Sequence, residues 1–202
     1  HPVFTDVSKA MGITHKGFTL GVAIQDFNND NLPDIYVSND FITEDLLYIN
    51  KGVDTTTNKH LGFVDKNQSV FKHLTYNAMG VDVADINNDE YPDVLVVDML
   101  PEKYERQKKM LGAMNYEKYL LAKRNKYASQ FMHNTLQLHN GILNDTILKA
   151  SETGHISGMS STDWSWAPIF ADFDNDGYKD VYITNGYVKD ITDLDFINYS
   201  SQ

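Results

Sequence analysis

Short apolar runs of four or five residues recur along this chain, each separated from the next by a dense cluster of Asp, Asn, Gly or Pro. Residues 21–25 (GVAIQ) lead into one cluster and 35–38 (IYVS) leave it. Residues 80–84 (GVDVA) and 94–97 (VLVV) flank a second, and 167–171 (APIFA) and 181–184 (VYIT) a third. β-branched and aromatic runs bounded by turn residues read as strands, so each cluster is the tip of a strand–loop–strand hairpin. Residues 46–50 (LLYIN) run into Lys51-Gly52, and 135–139 (TLQLH) into Asn140-Gly141. Both read as third strands that end in tight turns. Residues 62–65 and 146–149 are the expected fourth strands. By the same logic residues 3–6 (VFTD) are expected to be a fourth strand of a preceding repeat.

The clusters are nine-residue loops of one pattern: DFNNDNLPD at 26–34, DINNDEYPD at 85–93 and DFDNDGYKD at 172–180. Asp or Asn stands at positions 1, 3, 5 and 9 of each. Oxygen ligands at alternate positions can wrap one hard divalent cation, Ca²⁺ above all, and the carbonyl of position 7 can add another. The expected ligand sets are Asp26, Asn28, Asp30, Leu32 (through its carbonyl) and Asp34; then Asp85, Asn87, Asp89, Tyr91 (carbonyl) and Asp93; then Asp172, Asp174, Asp176, Tyr178 (carbonyl) and Asp180. A helix-flanked calcium loop would need a bidentate Glu at position 12, where this chain has Val37, Val96 and Ile183. Asx turns alone could explain one such loop. They explain three poorly, because clustered carboxylates repel when no cation is present.

The first two loops start 59 residues apart and the last two 87 apart. The excess matches an insertion at about 101–129, rich in Leu, Met, Lys, Glu and Tyr. It reads as one or two helices, broken near Gly112. Without it the period returns to 59, the size of a four-stranded propeller blade or similar repeat. The expected fold is all-β with a helical insertion: a partial β-propeller of about three blades in one domain over 1–202. Repeat 1 covers about 11–66, repeat 2 about 70–150, and an incomplete repeat 3 about 160–202.

Composition narrows the function. The net charge is −11, and the three loops hold ten Asp carboxylates, so three bound Ca²⁺ would cancel over half of it. Such acidity argues against non-specific nucleic-acid binding. There is no Cys, hence no disulfide, thiolate metal site or Cys nucleophile. No apolar run has the length of a membrane-spanning helix. The chain opens HPVFTDVSK and is read as a segment of something longer. The insertion holds eight of the seventeen Lys and Arg, which reads as a solvated helix face or as a docking surface for an acidic partner. Trp164 and Trp166 suit core packing or sugar stacking. Asn39, Asp98 and Asn185, each five residues past a closing Asp, cap strand ends or line one face. The seven His show no HxH or HExxH pair, so no zinc site is expected.

The loops and their flanks resemble the FG-GAP/VCBS repeats of the integrin α-chain β-propeller and of many bacterial surface proteins. The longer strings PDIYVSNDF (33–41), DLLYINKG (45–52), VDMLPE (97–102), NTLQLHNG (134–141) and TDWSWAPIFADFDNDGYKDVYITNG (162–186) are similar to bacterial VCBS-repeat proteins of the cartilage acidic protein/UnbV-type group. The resemblance implies propeller blades whose acidic loops bind up to three Ca²⁺, each held by the residues named above. Position 6 of such loops favours Gly, and only the third loop has it, as Gly177. Asn31 is an acceptable substitute and Glu90 a poor one. The third site is expected to be the tightest. The resemblance further implies an extracytoplasmic, calcium-stabilised module that binds a protein or glycan and is not itself catalytic, with the rest of a parent chain completing the ring. The alternative is a portion of a polysaccharide-acting enzyme with structural calcium.

Overall fold

The computed structural model describes residues 3–110, 116–144, 146–147, 149–187 and 192–200. Each hairpin forms where the alternating runs place it. In the first sheet, Phe18–Gln25, Asp34–Asp40, Leu46–Asn50 and Phe63–Asp65 lie side by side in that order, all antiparallel. The second sheet repeats the order with Val81–Ala84, Asp93–Val96, Thr135–Leu138 and Ser151–Glu152. The third hairpin, Ser165–Ala171 with Asp180–Asn185, is two-stranded. The described chain is therefore mostly β, and no sheet closes on itself.

The sheets stack face to face. Strand side chains alternate between faces, and Asp93–Val96 uses both. Val94 and Val96 join Phe27, Tyr36, Leu47 and Phe71 between the first and second sheets. Leu95, with Val97 and Leu136, meets Phe170, Val181 and Ile183 of the third. A strand buried on both sides reads as an unbroken apolar run, which is what 94–97 is. Each such buried aliphatic side chain stabilises by about 1.5–3 kcal/mol relative to exposure.

Glycine sets how closely the first strands of neighbouring sheets approach. A Cβ on Gly21 would lie 2.5 Å from Ser38 Oγ and 2.9 Å from Val81 Cγ1. One on Gly80 would lie 2.4 Å from the Trp166 carbonyl oxygen. Hydrogen bonds reinforce the contact: Phe170 N–H donates to Asp82 Oδ2 at 2.7 Å, and Ser38 Oγ–H to the Met79 carbonyl at 3.3 Å.

The insertion supplies two helices, Tyr104–Lys109 and Tyr116–Arg124; the expected break near Gly112 lies outside the described residues. The second helix buries Ala122 and packs on Ser129–Phe131, which pairs in parallel with His73–Thr75. Three of the insertion's cationic residues contact the rest of the chain. Arg106 pairs with Asp163, Lys109 with Asp195 at 3.2 Å, and Lys118 lies over the Phe41 and Tyr76 rings.

Two strand expectations fail. Residues 3–6 form no strand, and Val3 and Phe4 are 89% and 94% exposed. A strand needs a neighbour for its N–H and C=O groups, and no described residue supplies one there. Thr146–Ile147 pairs with Ile142–Leu143 as a small hairpin rather than as the fourth strand, and Leu148 lies outside the described residues. The fourth strand is Ser151–Glu152, a polar pair with no apolar run to mark it. The small hairpin is the counterpart of Val53–Asp54 with Lys59–His60 in the first repeat. The short helices Asn67–Val70 and Leu194–Ser200 and the parallel strand pair were not anticipated by the apolar pattern.

Gly80→Ala forces a methyl group into backbone of the next sheet. It is expected to lower stability by about 1–3 kcal/mol, the usual cost of overpacking, read as a lower urea midpoint at unchanged slope.

Candidate functional site

One hydrogen-bond net is written three times at the hairpin tips. The first carboxylate of each loop accepts the backbone N–H groups of positions 5 and 6. Asp26 takes those of Asp30 and Asn31, Asp85 those of Asp89 and Glu90, and Asp172 those of Asp176 and Gly177. The fifth carboxylate accepts position 7, as Leu32 N–H to Asp30 Oδ1 at 2.8 Å, Tyr91 to Asp89 at 2.9 Å and Tyr178 to Asp176 at 2.8 Å. Short acidic side chains suit this role because they reach the backbone N–H groups two to five residues further on.

The net holds two residues per loop in the left-handed region. Position 6 has φ of 64° at Asn31, 72° at Glu90 and 92° at Gly177. Glu90 thus takes the shared turn in spite of its Cβ. Position 4 does the same at Asn29, Asn88 and Asn175, with φ of 55°, 59° and 61°. Asn at position 4 of all three loops was the sequence signal for this, because Asn tolerates that conformation.

The ninth residue anchors the loop from below. Asp34 is fully buried; its Oδ2 accepts Phe27 N–H at 2.9 Å and its Oδ1 accepts Asn50 N–H at 2.7 Å. Asp93 is equally buried and takes Ile86 and His139 in the same way. Asn50 ends the third strand of the first sheet, and His139 directly follows that of the second. In the third hairpin Asp180 receives Phe173 N–H at 2.9 Å but remains exposed, because no third strand lies beside it. Burial, with added repulsion from Asp30 and Asp26, pushes the Asp34 carboxyl up to about 6 against the pull of its two N–H donors. Asp93 is pushed to about 6 for the same reasons, with Asp89 and Asp85 as the repelling neighbours. The acids at loop positions 1 and 5 thus repel the one at position 9 in both loops.

At the third tip Asp172, Asp174 and Asp176 bring carboxylate oxygens within 4.8 Å of one another. In the other two loops position 3 is Asn, and its amide Nδ2 donates to the fifth carboxylate at 2.9 Å: Asn28 to Asp30 and Asn87 to Asp89. Asn28 Oδ1 is left buried with no hydrogen-bond partner among the described residues. The loops adjoin, since Asn88 Nδ2 donates to the Gly177 carbonyl at 3.2 Å, and His139 Nε2 lies 3.1 Å from the Phe27 carbonyl. His139 also stacks on Tyr91, with ring centroids 4.8 Å apart.

At the other end of the hairpins the residues five past each closing Asp tie strand ends. Asn39 N–H donates to Asp45 Oδ1 and its Nδ2 to the Glu44 carbonyl. Asp98 N–H donates to Asn134 Oδ1, and its own carboxylate accepts Asn77 and Met99 N–H. Asn185 Oδ1 accepts from Ser165 Oγ. Burial pushes Asp45 and Asp98 up to about 7. Trp164 is half-buried against Tyr187, whereas Trp166 is 43% exposed over Gly186.

Two outcomes follow from these geometries. Glu90→Gly relieves a left-handed Cβ and is expected to raise stability by about 1 kcal/mol, and Gly177→Ala to lower it by about 1 kcal/mol, both read by chemical unfolding. Asp45 and Asp98 keep protons in the native state that the unfolded chain, with its ordinary 3.8, has lost. In chelator, stability is therefore expected to fall as pH rises from about 4 to about 7. Asp45→Asn, which places at that site the residue the second repeat has as Asn134, is expected to flatten the slope in pH-dependent unfolding curves.

No helix among the described residues is long and apolar enough to cross a membrane. No curated protein matches the chain. Residues 26–96 match the family model described as an FG-GAP-like repeat, from the first acidic loop through the strand that leaves the second. The third loop lies beyond the match and carries the same hydrogen-bond net. The chain is thus one that contains an FG-GAP-like repeat at residues 26–96.

Proposed function

We propose that the chain is part of a calcium-stabilised β-propeller, about three blades with the third incomplete, that acts outside the cytoplasm as an interaction module for a protein or a glycan. The observation that carries the reading is the thrice-repeated tip net, which gathers acidic side chains at each tip and brings three carboxylates within 4.8 Å at the third. Hard oxygen donors in a flexible loop suit Ca²⁺ better than Mg²⁺, which demands a near-ideal octahedron. Positions 1, 3, 5 and 9, with the carbonyl of position 7, would hold each ion. Turning the Asn28 and Asn87 amides over would aim Oδ1 inward, a change that only a cation makes favourable beside Asp30 and Asp89. The third loop, with four carboxylates and a glycine at the left-handed position, is the tightest of the three.

The blade reading rests on the stacked sheets and on their outer faces. Val22 and Ile24 on the first sheet are 57% and 66% exposed, and Ile169 and Tyr182 on the third 46% and 57%. Further blades packing on both sides would cover them. Calcium modules outside cells work with Kd values of about 10⁻⁴–10⁻³ M, which suits exposed loops of this kind. An enzymatic role would call for two carboxylates facing each other across a cleft. The buried acids Asp45 and Asp98 instead have their oxygens on backbone N–H groups and Tyr36 Oη–H.

Thermal unfolding in Ca²⁺, Mg²⁺ and chelator tests the proposal. A Ca²⁺-specific rise is expected, worth about 2.7 kcal/mol per site when free Ca²⁺ is a hundredfold above Kd. Asp174→Ala with Asp176→Ala is expected to remove one equivalent in calorimetric titration. Superimposable melting curves in all three conditions would overturn the reading. A glycan array and affinity capture with the full-length protein address the partner.

A further inference from the structure

We infer that His73, His133 and Glu152 form a binding site for a transition-metal ion of the Zn²⁺ class, separate from the acidic loops. The three residues are far apart in sequence, and three different segments bring them together. His73 opens the short strand His73–Thr75, His133 lies in the turn after Ser129–Phe131, and Glu152 ends the fourth strand of the second sheet. One ligand atom from each lies within 4.8 Å of the other two. Ligand atoms around a tetrahedral Zn²⁺ stand about 3.3 Å apart, given bonds of about 2.0 Å. His73 Nε2 and Glu152 Oε2 already lie 3.5 Å apart, so small side-chain rotations complete the set. Two imidazoles and one carboxylate favour Zn²⁺ over Ca²⁺, because hard alkaline-earth ions prefer oxygen.

The surroundings orient all three donors. His133 is buried, and its Nδ1 lies 2.7 Å from the Asn134 carbonyl. That bond puts the ring proton on Nδ1 and leaves the lone pair on Nε2, the outer-shell arrangement common to metal-bound histidines. Glu152 is held through its other oxygen: Oε1 accepts Gly154 N–H at 2.6 Å and Leu136 N–H at 3.3 Å. Asp65 occupies the same place in the first sheet and binds Asn67 and Leu47 N–H in the same way. The extra methylene of Glu152 brings Oε2 to His73. The His73 strand is pinned in turn by Gln137 Nε2, which donates to the His73 carbonyl at 2.9 Å. His155 is exposed beside His133, with ring centroids 4.7 Å apart.

The test is titration of the full chain with Zn²⁺ and with Co²⁺ in excess Ca²⁺. One tight equivalent is expected, with the visible absorption of a four-coordinate Co²⁺ site. His73→Gln and His133→Gln are each expected to weaken binding at least about tenfold, while His15→Gln leaves it unchanged. No stoichiometric uptake by the native chain, or equal affinity in His73→Gln, would overturn the inference and leave a structural His–Glu contact. If His133→Gln fails to fold, the partly exposed His73 position decides alone, with circular dichroism confirming its fold. The readout is separable from the calcium reading, since the His73→Gln and His133→Gln variants leave the acidic loops intact and change only the metal equivalent held by this cluster.

Discussion

A buried carboxylate under each of the first two hairpin tips is the constraint on which the other features rest. Removing Asp34 or Asp93 from water carries a heavy desolvation cost unless its oxygens find donors. Each finds two, one from the loop it closes and one from the end of the third strand. The same two bonds therefore fix the tip conformation and join a local hairpin to its sheet. The contrast with Asp180 makes the dependence visible: without a third strand the loop keeps its shape, yet its closing acid lies in solvent.

From that anchor the structure extends in two directions. Above it, the first and fifth carboxylates gather backbone N–H groups and hold two residues per loop left-handed, so that the acid tips recur at the same end of successive sheets. Below and beside it, strands such as Asp93–Val96 bury both faces, and Gly21 and Gly80 let adjoining sheets meet at backbone distance. Electrostatic tension at the tips and close packing between sheets are thus linked through a single side chain per repeat.

Much of this was legible in the residues. The runs at 21–25, 35–38, 46–50 and 94–97 became strands because short apolar, β-branched runs stand between turn residues, alternating where one face is exposed and unbroken where both are buried. The loop register was legible because it recurs three times. What stayed hidden depends on long-range pairing. Ser151–Glu152 has no apolar signature and is a strand only because Thr135–Leu138 lies beside it. Residues 3–6 have the signature and no neighbour. The role of the ninth Asp as an anchor required knowing where Asn50 and His139 fall. The His73–His133–Glu152 cluster draws on positions up to 79 residues apart, beyond the reach of any spacing rule.

Asp65 and Glu152 show what repetition permits. Both copies of the unit need one carboxylate oxygen to staple the fourth strand to the third, and both have it. In the copy that grew by a single carbon, the second oxygen extends beyond the shared scaffold to an imidazole. A duplicated architecture can therefore diversify at one atom while its inherited fastening stays intact, and new chemistry can arise in one copy without loosening the fold that both copies share.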